Sequence, residues 1–193
     1  VARAANVIWL NYPNNPTGAV ADLEVFERAV HWAKQHEIII AHDNPYSEVA
    51  FDGYKPPSIF EVAGAKDIAV EFNSLSKTFS MAGQRIGMVV GNAEIIEVLG
   101  RIKSNIDSGI YGAIQDTAIA AYTGDQSWLP ARNEIYRKRR DKICDVLTAI
   151  GVDAPRPKAS LHNWHRVPAG FTSPTLPDPL LDKIGVALPP RTA

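Results

Sequence analysis

The run "EIIIAHD", residues 37–43, sets the frame for the rest of the chain. Three consecutive isoleucines without polar alternation suit a strand buried on both faces, the habit of parallel sheets. The run ends in His42 and Asp43 and passes into Asn44-Pro45-Tyr46. Polar groups therefore fall at the carboxyl end of a strand, where open α/β sheets bind their ligands. Before it, "LEVFERAVHWAKQH" (23–36) spaces Leu23, Phe26, Val30 and Ala33 for one helix face behind Asp22, a candidate N-cap. Further back, "NVIWLNY" (6–12) reads as a strand that stops at the turn "PNNPTG" (13–18). Beyond it, "DIAVEFNS" (67–74) repeats the strand-then-polar pattern and "RIGMVVGN" (85–92) is another strand. Helical periods cover about 94–106, 113–122 and 128–150. Strands alternating with helices predict an α/β domain over residues 1–150. From 151 the composition shifts towards proline, "SLHNWHRV" (160–167) reads as a strand and "DPLLDKIG" (178–185) as a short helix. Residues 151–193 are expected to open a second, smaller α/β domain.

The chain has 193 residues, a formal net charge of −1 and 21% charged residues. Such a balance offers no general field for nucleic acid or an acidic membrane surface, and favours a small, specific partner. The single cysteine, Cys144, excludes an intrachain disulfide and fits a reducing, cytoplasmic setting. It is expected on a buried helix face. The basic run "YRKRRDK" (136–142) carries one aromatic and is expected to be a solvated helix face. His162 and His165 have no cysteine or carboxylate cluster beside them, so no metal site is expected.

Three motifs fall at strand ends: Asn15-Pro16-Thr17-Gly18, Asp43-Asn44-Pro45-Tyr46, and Ser74-Leu75-Ser76-Lys77 with Arg85 eight positions on. Each alone has an ordinary meaning. An Asn-Pro turn satisfies its own backbone, an aspartate caps a turn, an arginine pairs with a surface carboxylate. Together they assemble an amine, an acid, a phenol, an amide, hydroxyls and a guanidinium, a set suited to a phosphorylated aromatic aldehyde such as pyridoxal phosphate.

At these residues the sequence resembles the class I/II pyridoxal-phosphate aminotransferases of the aspartate aminotransferase fold, in motif order and in the Lys77–Arg85 spacing, from about residue 1 to residue 161. The resemblance implies part of a three-layer α/β/α large domain with a mainly parallel sheet, the long connecting helix, and the start of the small domain. It implies Lys77 as the Schiff-base lysine, Asp43 as partner of the pyridinium nitrogen, Asn15 and Tyr46 on the phenolate oxygen, and Ser74, Ser76 and Arg85 at the phosphate. It also implies amino transfer between an L-amino acid, with LL-diaminopimelate and aspartate as the candidate donors, and a 2-oxo acid such as 2-oxoglutarate, by a cytoplasmic homodimer. "NYPNNPTGAV" (11–20), "KSNIDSG" (103–109) and "TGDQSW" (123–128) look most like the LL-diaminopimelate aminotransferases, which implies a place in lysine biosynthesis. Two other outcomes share the fold: an effector domain of a transcription regulator, and an inactive fragment.

The resemblance weakens in the tail. His162 and Asn163 stand where the family usually carries an aromatic and an aliphatic residue, and only Trp164 fits. Pro174, Pro177 and Pro179 are expected to break the start of the following helix. "LPPRTA" (188–193) falls where the family tends to read T-P-G-T, so Arg191 is not matched to the substrate-carboxylate arginine. The stacking aromatic and the first phosphate loop of the family find no match in the sequence. The chain is expected to begin mid-protein and, taken alone, to be inactive or weak.

Overall fold

A computed structural model describes residues 5–188. Four strands form one sheet in the order β1 (Val7–Asn11), β2 (Ile39–Asp43), β3 (Ala69–Ser74), β4 (Gly87–Gly91). β1, β2 and β3 are parallel, with Asn11 opposite Asp43 and Asp43 opposite Phe72. β4 runs antiparallel and pairs Gly87 with Ser74. This register brings the carboxyl ends of three strands and the amino end of the fourth to one edge. A side chain at Gly87 would place its Cβ 2.6 Å from the Asn73 carbonyl oxygen, so only glycine lets β4 start this close to the end of β3.

α1 (Leu23–Gln35) packs Phe26, Val30 and Ala33 on the sheet together with Ile38, Ile40, Ile59 and Ala69. Asp22 has the extended backbone of an N-cap but its side chain makes no capping bond. α2 (Leu75–Thr78) is a single turn that leaves β3 directly, capped by the Ser74 hydroxyl, which accepts from the Ser76 amide at 3.2 Å. α3 (Ala93–Lys103), α4 (Gly112–Thr123) and the long α5 (Leu129–Ala149) follow. Apart from α2, the sequence places each of these elements to within three residues at each end.

Two expectations for the tail need correction. Residues 160–167 form no strand; a single bridge, Ala50 to Ala159, is followed by Ser160 at φ +77°, which turns the extended chain away. α6 runs from Pro177 to Ile184, and Pro177 and Pro179 are accommodated in its first turn, where no intrahelical partner awaits their missing N–H groups. Arg191 lies outside the described residues. The basic run also differs from expectation in one place. Arg140 is buried, donates to Asp52 at 2.6 Å and lies over the Phe51 ring. Cys144 is fully buried on α5 as expected. No helix among the described residues is long and apolar enough to cross a membrane.

Candidate active site

At the shared edge, Asn11 ends β1 beside Asp43. Its Nδ2 donates to the Asp43 carboxylate at 3.1 Å and to the Asp43 carbonyl at 3.0 Å. Its Oδ1 accepts from Asn14 Nδ2 at 3.0 Å and from the Asn15 amide at 2.9 Å. One side chain thus joins the acid to the "NNPTG" loop. The loop closes on itself through Asn14, whose Oδ1 accepts from the Thr17 hydroxyl at 2.6 Å. Gly18, at φ +70°, packs against Pro157 and the His162 carbonyl, so a Cβ there would crowd both. Asn15 is exposed at this edge, with its side chain free of hydrogen bonds among the described residues.

Beneath Asp43 lies a buried polar network. Glu71, directly opposite His42 in the sheet, is 5% exposed and accepts five hydrogen bonds. These come from His42 Nδ1, the Ser58 hydroxyl, the Ile59 amide and the Asn44 and Asn73 amides. Burial alone would raise the Glu71 carboxyl; the donors from His42, Ser58 and Asn44 and the His42 charge together outweigh it and hold it below the ordinary value. His42 Nε2 faces the Tyr12 carbonyl oxygen at 3.1 Å. Both ring nitrogens therefore face acceptors, an arrangement fully satisfied only when each carries a proton. Burial raises the half-buried Asp43 carboxyl, and the neighbouring His42 opposes that rise.

Tyr46 is buried against Val49, Phe51 and Tyr136, with the His162 ring edge-on at 5.5 Å. Burial and the Asp43 charge push its phenol up, which keeps the hydroxyl a donor. No hydrogen bond to that hydroxyl exists among the described residues. Lys77 sits half-buried in the single turn of α2, and its Nζ has no hydrogen bond or ion pair among the described residues. Ser76 is half-buried beside it. Arg85 precedes β4 with a left-handed backbone, φ +52°, is exposed, and donates to the Ala82 carbonyl at 3.0 Å. The antiparallel start of β4 is what returns this arginine to the Lys77 edge.

The family model described as "Aminotransferase class I and II" matches residues 2–193. The chain belongs to the class I and II aminotransferases. The match runs on through the tail beyond residue 161. Among curated relatives, LL-diaminopimelate aminotransferase 2 of Trichormus variabilis is 52% identical over 190 residues, covering 98% of this chain and 49% of that protein. The LL-diaminopimelate aminotransferase of Moorella thermoacetica is 46% identical over 190 residues, again 98% of this chain and 49% of its own length. Among solved structures, a probable N-succinyldiaminopimelate aminotransferase of Thermus thermophilus superposes with a TM-score of 0.90 at 35% identity, covering 97% of this chain and 50% of that one. The chain thus spans about half the length of the relatives it matches. The fold is that of the large domain of these aminotransferases.

Class I and II aminotransferases use pyridoxal phosphate in general, and the residues present fit that group. Among the described residues, the Lys77 amine and the Tyr46 phenol have no hydrogen-bond partner and Asn11 is the one side-chain donor to the Asp43 carboxylate, which leaves capacity for an aldehyde, a phenolate oxygen and a ring nitrogen. The sequence reading missed Asn11, His42, Glu71 and Arg132. Asn11 and the His42–Glu71 pair carried a signal, polar residues inside or ending apolar strand runs. Arg132 carried none, because apart from the adjacent Asn133 its partners are main-chain oxygens far away in sequence.

Proposed function

We propose that the protein is a pyridoxal-phosphate-dependent aminotransferase that moves an amino group between an L-amino acid and a 2-oxo acid, with LL-diaminopimelate as donor and 2-oxoglutarate as acceptor. The observation that carries this reading is the meeting of Lys77, Asp43 and Tyr46 at one sheet edge, with the Lys77 Nζ and the Tyr46 hydroxyl both unpartnered among the described residues. The donor is supported by the curated relatives, which are LL-diaminopimelate aminotransferases. A cytoplasmic homodimer, with residues 1–150 in the cofactor-binding domain and 151–193 in the small one, belongs to the same proposal.

The cofactor, when bound, supplies an aldehyde for the amine and a protonated ring that accepts electrons from the substrate's α-carbon. Lys77 would hold the aldehyde through its Nζ, and the same amine, when free, would take the proton from the substrate's α-carbon as a general base. Asp43 holds the ring nitrogen's proton, its charge braced by Asn11 and by His42 behind it. Tyr46 and Asn15 would donate to the phenolate oxygen, and Ser74, Ser76 and Arg85 would bind the phosphate, Arg85 through the fork that a lysine lacks. Glutamate formation by the purified full-length protein from LL-diaminopimelate and 2-oxoglutarate tests the proposal, with aspartate and lysine as comparison donors. Preference for LL-diaminopimelate by at least about tenfold in kcat/KM is expected; equal use of the three donors would remove the substrate from the proposal, and no glutamate from any of them would remove the activity.

A further inference from the structure

Arg132 is a buried cation that forms no ion pair among the described residues. It lies on the first turns of α5, is 9% exposed, and divides its guanidinium between three main-chain oxygens and the side chain of the adjacent Asn133, to which its Nε also donates at 3.2 Å. One terminal nitrogen donates to the Lys77 carbonyl at 3.2 Å and, more closely, to the Thr78 carbonyl. The other donates to the Glu48 carbonyl at 2.6 Å and to Asn133 Oδ1 at 2.8 Å. Asn133 returns to the same Glu48 oxygen at 3.0 Å. The rings of Trp128 and Tyr136 lie 5.3 Å and 5.9 Å from the guanidinium carbon and fix its plane.

These partners are not scattered. Lys77 and Thr78 end α2, a four-residue turn far too short to hold itself together and whose last carbonyls have no helical partner. Glu48 lies two residues beyond Tyr46, in the loop that carries Asp43's neighbours. One rigid fork therefore clamps the backbone under the amine to the backbone beside the phenol, and ties both to α5. We propose that Arg132 is a positioning residue, which sets the Lys77 amine against Asp43 and Tyr46; the inference rests on the reading of Lys77 as the cofactor lysine. Lysine at 132 would keep a charge but could not bridge three carbonyls in one plane. Burial lowers the Arg132 pKa from its ordinary value, yet a guanidinium remains charged, so removing the carbonyls' partner leaves several oxygens unsatisfied at once.

The test uses Arg132→Lys, Arg132→Gln and Arg132→Ala in the purified protein, with intact folding checked by near-ultraviolet circular dichroism. In the cofactor-free protein, hydrogen exchange at the Phe79 and Met81 amides, which both bond the Leu75 carbonyl, should speed up in Arg132→Gln while the β2 amides stay protected. Capture of pyridoxal phosphate at Lys77, trapped by reduction and read by mass spectrometry, should slow by about tenfold or more in Arg132→Gln and Arg132→Lys. Added guanidinium should restore much of the loss in Arg132→Ala. Turnover should fall through kcat with KM little changed, since the substrate's own contacts remain. Capture within about twofold of wild type in both Arg132→Gln and Arg132→Lys would overturn the inference, as would a slowing shared equally by other lysines or no guanidinium rescue. If the wild-type protein captures nothing at Lys77, the cofactor reading fails instead, and the Phe79 and Met81 exchange rates still decide whether Arg132 holds the turn.

Discussion

Replacing Glu71 by glutamine removes a charge at the centre of the network under Asp43, and the cost can be worked through partner by partner. One carboxylate oxygen takes the Asn44 and Asn73 amides at 3.3 Å and 3.0 Å; the other takes Ser58, Ile59 and His42 at 2.7, 3.2 and 3.1 Å. Glutamine offers a single oxygen, which best keeps the second group, so its NH2 faces the two asparagine amides. Asn44 can turn over to receive it, because its Oδ1 is buried without a partner. Asn73 cannot do so freely, since its Oδ1 already accepts from the Ser47 hydroxyl at 3.2 Å. The Asn73 donor is left unsatisfied, at roughly 1–3 kcal/mol, Asn44 exchanges an unpartnered oxygen for an unpartnered NH2, and the His42 ring keeps only a neutral acceptor. A total loss of about 2–4 kcal/mol in unfolding free energy is expected at pH 7. The Glu71 carboxyl is held below its ordinary 4.5, so its contribution is present above that pH and disappears as pH falls through the lowered value. The gap between wild type and Glu71→Gln should therefore close in strong acid. Urea unfolding followed by tryptophan fluorescence, from pH 7 down to the lowest pH at which both proteins fold, measures it. A difference below about 0.5 kcal/mol at pH 7, or a gap that widens on acidification, would refute the reasoning.

Asp43→Asn should cut turnover by about a hundredfold or more, because the charge opposite the ring nitrogen is gone. Without cofactor the same variant should be no less stable than wild type: burial raises the Asp43 carboxyl, so ionising it costs stability as pH rises, and asparagine can still accept from Asn11. Thermal unfolding at pH 3 and pH 7 checks this, with the variant gaining relative to wild type at the higher pH. Phe26→Ala should cost about 3–5 kcal/mol, since Phe26 is fully buried in the α1–sheet core and packs its ring 4.7 Å from that of His42. Chemical denaturation measures that loss, and a cost under about 1 kcal/mol would show that α1 does not anchor the sheet.

The large-domain elements were legible because hydrophobic period and strand-end polarity coincide there. "EIIIAHD" and "DIAVEFNS" announce buried parallel strands and also deliver Asp43 and Ser74 to the edge. The direction of β4 was not legible, since "RIGMVVGN" reads alike in either sense. The strand expected at 160–167 failed for want of a partner beyond Ser160, whose positive φ no residue pattern announces. Arg140, taken as part of a solvated face, is buried because Asp52, far off in sequence, meets it. Arg132 was hidden for a related reason: carbonyl oxygens of residues 48, 77 and 78 recognise it, and main-chain acceptors leave no mark in composition or spacing.

The central claim is that Lys77 carries the cofactor. Incubating the purified protein with pyridoxal phosphate, reducing with borohydride and mapping the peptides identifies the modified lysine. The account predicts a pyridoxyl label on Lys77, abolished by Lys77→Ala; a label on another lysine such as Lys103, or one that survives Lys77→Ala undiminished, would contradict it.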